Sequence, residues 1–214
     1  MTITYQDSKR ISGLSTDTVP SATYSTDFST STSWTKTGTK IQVNTTTQVL
    51  DVDAIRDGSN YATSYDLGAG GVSDTAWVLR WKERYTTITT GSSEPCHMVG
   101  IFNSNDTVGG RSNQVCIEFR PYQTSSTSAN NGLYAGWCDS TGSPTYSPTG
   151  SNKFATYNAS LNTNYYYEIR RTSATQAIFT SYGTDSTYTT AAYTYTATLP
   201  AGVTGLRYIK VQND

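Results

Sequence analysis

Carboxylates are the first residues to test for chemistry, because hydrolysis of a glycosidic bond needs a proton donor and a second acid. In a retaining mechanism the two stand about 5–5.5 Å apart. On a strand that requirement becomes alternate positions, which share one face. The chain has four glutamates, Glu83, Glu94, Glu118 and Glu168, and no two lie within ten residues of each other. Asp51-Val-Asp53 has the alternation but no third acid beside it, so solvent-facing strand positions are its simpler reading. Nucleophilic hydrolysis is no better supplied. His97 is the single histidine, its neighbour is Cys96, and adjacent strand residues point to opposite faces. No catalytic residue is assigned.

Metal and sugar ligands are the next candidates. Zinc would need Cys or His ligands paired at two-to-four spacing, which His97 with Cys96, Cys116 and Cys138 does not give. The three cysteines leave two readings open, one disulfide with one thiol or three buried thiols. Asp51, Asp53, Asp57 and Asn60 offer calcium-type oxygens, although Asp57-Gly58-Ser59-Asn60 also reads as a hairpin turn. No cofactor or metal is expected; calcium there is the one left open. Sugar binding asks for an aromatic ring to stack on, with amides and carboxylates for the hydroxyls. Trp137, Asp139 and Tyr146 around one long loop, with Asn130 and Asn131 upstream, form such a set, and the alternative places Trp137 in the core. The cluster Gly68-Ala69-Gly70-Gly71 is a loop rather than a phosphate cradle, since no helix follows. Three N-x-Ser/Thr sequons (Asn44, Asn105, Asn158) are expected by chance in so Thr-rich a chain.

These residues must be positioned by strands. Tyr165–Arg171, Thr175–Tyr182 and Gly205–Val211 are short β-branched or aromatic runs bounded by Gly, Asp, Asn or Ser. The strongest run is Thr75–Arg84, where Trp77, Leu79 and Trp81 share one face and Val78, Arg80 and Lys82 the other. Further runs are Lys40–Val43, Gln48–Asp53, Tyr61–Leu67, Met98–Phe102, Gln114–Arg120 and Leu133–Cys138, separated by polar loops such as 103–113, 123–131 and 139–152. Phe28 and Trp34 flank a Ser/Thr turn. No segment carries a helical apolar period over ten residues. About twelve strands result, which suits two antiparallel sheets packed face to face.

Composition bounds the rest. A Thr- and Ser-rich chain of 214 residues with 17 Tyr, 4 Trp and 14% charged residues suits one all-β domain over 24–214 rather than disorder. Net charge is -1 with no basic stripe, so nucleic acid is not an expected partner. No apolar run reaches membrane-spanning length and Met1–Tyr5 does not read as a signal peptide, so membrane insertion is not expected. Residues 1–23 lack alternation and read as an extended arm, with Ile3, Tyr5, Arg10, Ile11 and Leu14 as its docking residues.

Several motifs together resemble a known family. Phe28…Trp34, Tyr65-Asp-Leu-Gly68, Val72-Ser-Asp74…Trp77-Val-Leu-Arg-Trp81, Tyr167…Arg171 and Leu206-Arg-Tyr-Ile-Lys-Val211 are similar to concanavalin A-like jelly-roll domains of the lectin/glucanase and laminin-G type. The resemblance covers 24–214 and implies an all-β, two-sheet antiparallel jelly-roll sandwich. Ile3–Ile11 with Gly13-Leu-Ser-Thr-Asp17 resembles an N-terminal segment of marine virus virion proteins. That implies a virion-surface or extracellular structural protein, a capsid decoration, spike or tail component. Its partners would be other virion proteins or copies of itself, with host glycans as ligands. A free carbohydrate-binding module, lectin or adhesin domain is the alternative.

Overall fold

The computed structural model describes residues 24–53, 61–87, 97–106, 114–122, 131–139, 144–146 and 153–213. Fourteen strands and no helix occur among them. In chain order they are β1 (Trp34–Thr37), β2 (Ile41–Asn44), β3 (Val49–Val52), β4 (Ala62–Asp66), β5 (Trp77–Arg84), β6 (His97–Phe102) and β7 (Cys116–Tyr122). They continue with β8 (Gly132–Cys138), β9 (Pro144–Tyr146), β10 (Ala155–Thr156), β11 (Asn164–Ser173), β12 (Gln176–Ser181), β13 (Tyr193–Thr198) and β14 (Tyr208–Asn213). Every strand pairing among the described residues is antiparallel. One large sheet runs β1-β4-β14-β6-β7-β8-β10 with β9 also on β8; a second runs β13-β12-β11-β5; β2 and β3 form a hairpin of their own.

The alternation expected from sequence decides which face is buried. Across the large sheet Ile209, Ile101, Ile117 and Trp137 take register with one another and belong to the core. From the four-stranded sheet Tyr167, Ile169, Phe179 and Ala197 meet them, with Trp77, Leu79 and Trp81 packed against the cluster. Phe119 ties the layers: its ring centroid lies 5.6 Å from Trp81, 5.2 Å from Tyr167 and 6.2 Å from Phe179. Each such side chain contributes about 1.5–3 kcal/mol on burial. The layers are therefore sandwich-like.

The large sheet has twice as many strands as its partner, so much of its inner face would lie bare. The β2–β3 hairpin fills part of that space. Ile41, Leu50 and Val52 pack on Val99 and Val211, and the Thr63 hydroxyl donates to the Ile41 carbonyl at 2.6 Å. Arg171, fully buried, fastens the opposite end. Its Nε donates to Ser173 O (3.1 Å), and Nη2 donates to Ala174 O and Val203 O (both 2.8 Å).

Two differences from the sequence reading stand out. Strand β9 falls inside 139–152, which sequence reads as a polar loop, and β1 and β13 come from Thr-rich segments with little apolar contrast. Cys116 and Cys138 take register directly across β7 and β8 as buried thiols beside Phe102. Cys96 lies outside the described residues.

Candidate functional site

The expected sugar set is not assembled at the surface. Trp137 sits on the core face of β8, 7% exposed, and a covered indole offers no face to a pyranose. It is a core residue, the second of the two readings its position allowed. Asn131 is fully buried; its Nδ2 donates to Asn158 Oδ1 at 2.6 Å and its carbonyl accepts from Lys153 Nζ at 3.0 Å. Asp139 is half-buried at the end of β8. Tyr146 takes register with Gly136 whereas Trp137 takes register with Thr145, so the two positions are not opposite each other. The arm residues Ile3, Tyr5, Arg10, Ile11 and Leu14 lie outside the described residues, as do Asp57 and Asn60. Of the oxygen ligands weighed for calcium, Asp51 accepts from Asn44 Nδ2 (2.9 Å) and Asp53 from Lys40 Nζ (2.8 Å). Among the described residues no three His, Cys, Asp or Glu side chains gather as a metal site would need.

The three described glutamates occupy three different surfaces. Glu118 is buried on the outward face of the large sheet, in register between Gly100 and Gly136. Glu168 lies on the outward face of the four-stranded sheet between Arg80 and Arg170. Glu83 turns inward and meets His97 at 3.2 Å.

A different aromatic group does reach the surface. Trp34 of β1 and Tyr65 of β4 take register on the core-facing side of the large sheet, at the edge where the four-stranded sheet no longer covers it. Residues 24–33 fold over them. Tyr24 stacks on Tyr65 (3.9 Å between centroids, 27° between planes), and Trp34 lies tilted against Tyr65 at 5.7 Å. Trp34 Nε1 donates to the Tyr24 hydroxyl at 3.1 Å, and Phe28 backs Trp34 at 5.5 Å. Beside these rings opens a cavity of about 240 Å³ lined by Tyr24, Thr26, Asp27, Thr30, Ser33 and Trp34 among others. That volume is below the ~300–1,000 Å³ of drug-sized pockets, so a ligand held there would be small.

The loop that builds this cleft is held locally. Phe28 takes a left-handed backbone (φ 56°), unusual for an aromatic residue, while its N–H donates to Thr26 Oγ1 (2.9 Å) and the Ser29 N–H donates to Asp27 Oδ1 (3.0 Å). Burial pushes the Tyr24 phenol above its ordinary value, against the hydrogen bonds from Thr26 and Trp34. It therefore stays a neutral donor and acceptor at physiological pH. The rings pack mainly on one another and the cavity lining is mostly polar, so what it offers a ligand is hydrogen bonding from hydroxyls and a carboxylate.

Two further polar groups are buried. The Glu83–His97 pair joins the layers beside the Tyr167–Tyr157 hydroxyl bond (2.7 Å). Lys210, wholly buried, donates to Asp106 O and to Gln114 Oε1 (2.8 Å), with its ammonium 4.8 Å from the Phe102 ring. Burial pulls it down to about 8 against the attraction of Cys116, Asp106 and Glu118.

No protein-family model matches the chain, and no curated protein matches it.

Proposed function

We propose that this protein is a non-catalytic surface component of a virion, a capsid decoration, spike or tail protein. In this reading its concanavalin-like jelly roll contacts host glycans through the Tyr24–Trp34–Tyr65 cleft, and its N-terminal arm fixes it to the particle. The observation that carries the reading is the cleft: an open cavity beside Tyr24 and Trp34, edged by Thr26, Asp27, Thr30 and Ser33. The separation of Glu83, Glu118 and Glu168 onto three surfaces supports a binding role over glycoside hydrolysis, which needs two acids across one bond. The antiparallel layers around Phe119 support the jelly-roll reading.

A glycan array tests it, with the wild type and Ser33→Arg, a change at an exposed residue that fills the cleft without entering the core. The reading expects the wild type to bind a defined set of glycans and Ser33→Arg to lose them at unchanged Tm. A wild type that binds none sinks the glycan role. The alternative, a free carbohydrate-binding module, shares the cleft and differs in the arm. Removal of residues 1–23 should leave a folded domain that no longer joins particles, and undiminished incorporation would favour the alternative.

A further inference from the structure

We propose that the outward face of the four-stranded sheet is a second binding surface, for an acidic polysaccharide: a linear sugar chain carrying sulfate or carboxylate groups. The inference does not depend on the cleft. Arg80, Lys82 and Arg84 occupy alternate positions of β5, so all three point away from the core, about 6.8 Å apart along the strand. Arg170 joins them from β11, where it takes register with Val78, next to the Glu168–Arg80 pair.

The arrangement is held in place from beneath. Glu168 is buried and accepts from Arg80 Nε at 2.6 Å and from Arg170 Nε at 3.0 Å, so one carboxylate fixes two guanidinium groups. Lys82 and Arg84 are exposed and have no carboxylate within ion-pair distance among the described residues. Four cations thus face one buried anion in a chain whose net charge is -1. The nearby Asp185 turns its carboxylate into its own loop, accepting from the N–H groups of Thr187, Thr189 and Thr190.

The rows between the cations carry rings and hydroxyls. Lys82 takes register with Tyr166, and the Tyr182 N–H bonds the Tyr166 carbonyl, so both tyrosines stand in one row. Tyr188 closes over them from the next loop, 5.6 Å from Tyr166 and 5.2 Å from Tyr182, with the Arg80 guanidinium 5.0 Å from its ring centroid. Tyr188 itself holds a left-handed backbone (φ 57°), and its hydroxyl donates to Trp81 O at 3.1 Å. In the Arg80–Glu168 row Thr180 is buried and Thr194, next to it on β13, is exposed. Tyrosine rings, the exposed Thr194 hydroxyl and spaced cations together match the rings, hydroxyls and acidic substituents of a polysaccharide. A duplex nucleic acid would instead need a longer track of cations along its phosphates.

Full-length protein passed over immobilised dextran sulfate, neutral dextran and a DNA duplex tests the assignment. Expected are salt-sensitive retention on dextran sulfate, none on neutral dextran, and weaker retention on DNA. Lys82→Glu/Arg84→Glu should weaken binding to dextran sulfate about tenfold or more at unchanged Tm. Lys36→Glu/Lys40→Glu, an equal double charge reversal on β1 and just before β2, should change it less than about twofold. No retention of the wild type overturns the proposal. So do equal losses in the two variants, which would mean bulk attraction without a site, and DNA retention as strong as that on dextran sulfate.

Discussion

Replacing His97 by Gln should destabilise the protein far more than a change at one residue of a Thr-rich sandwich ordinarily does. His97 Nε2 and Glu83 Oε2 stand 3.2 Å apart with side chains 6% and 13% exposed, one on each layer, so the variant leaves a carboxylate in the core without its counter-ion. Removing one partner of a buried pair costs about 3–5 kcal/mol. In a domain of this size that corresponds to a fall in Tm of about 6–20 °C. Burial works against both charges, yet each holds the other: the His97 imidazolium and the Tyr85 and Trp81 donors hold the Glu83 carboxyl below its ordinary value, and Glu83 raises His97 above its own. The stability that His97 supplies is complete below about pH 6.5 and is lost as pH rises through its raised value in the fold. The stability that Glu83 supplies is complete above about pH 4.5 and is lost as pH falls through its lowered value. Calorimetric melts of wild type and His97→Gln from pH 4 to 9 should therefore differ most between about pH 4.5 and 6.5 and converge on the alkaline side. A Tm difference below about 3 °C, or parallel profiles across the range, would refute the ion pair as a fastening between layers.

Glycines in the large sheet give a graded contrast. A Cβ at Gly100 would overlap the Ile117 carbonyl, part of a neighbouring strand that cannot withdraw, so Gly100→Ala should cost about 3 kcal/mol or more. A Cβ at Gly136 would meet Glu118 Oε1 at 2.8 Å, the end of a side chain that can turn, so Gly136→Ala should cost about 1 kcal/mol; urea melts of both variants check the order. Arg171→Met removes the donors to Ser173, Ala174 and Val203 while keeping much of the side-chain volume, and a urea melt should show a loss of about 3 kcal/mol. Cys116 and Cys138, both buried, should resist maleimide labelling in the native protein and react once denaturant is added, as peptide mass mapping would show.

The parts of the fold that sequence makes legible are those where apolar and polar residues alternate sharply. Thr75–Arg84 reads correctly as a strand with Trp77, Leu79 and Trp81 inward, because Val78, Arg80 and Lys82 contrast with them. Strand β13 alternates Tyr with Thr, residue types equally at home on wet or dry pleats, so it carries no comparable signal. The candidate site was hidden for a tertiary reason. Tyr24, Trp34 and Tyr65 lie on three separate segments, and only the pairing of β1 with β4 brings the latter two together. Trp137 looks suited to a rim because Asp139 and a long loop follow it, yet its register with Ile117 turns it into the core. Arg80 and Lys82 are legible in sequence as one face of the strand, whereas Arg170 joins them only through the register of β11 with β5.

A crystal of the full-length protein grown with the tightest-binding oligosaccharide from the array tests the central claim most directly. The account expects a pyranose ring in the cavity beside Tyr24 and Trp34, with its hydroxyls bonded to Thr26, Asp27, Thr30 or Ser33. An oligosaccharide seated elsewhere, with that cavity holding only solvent, would contradict it.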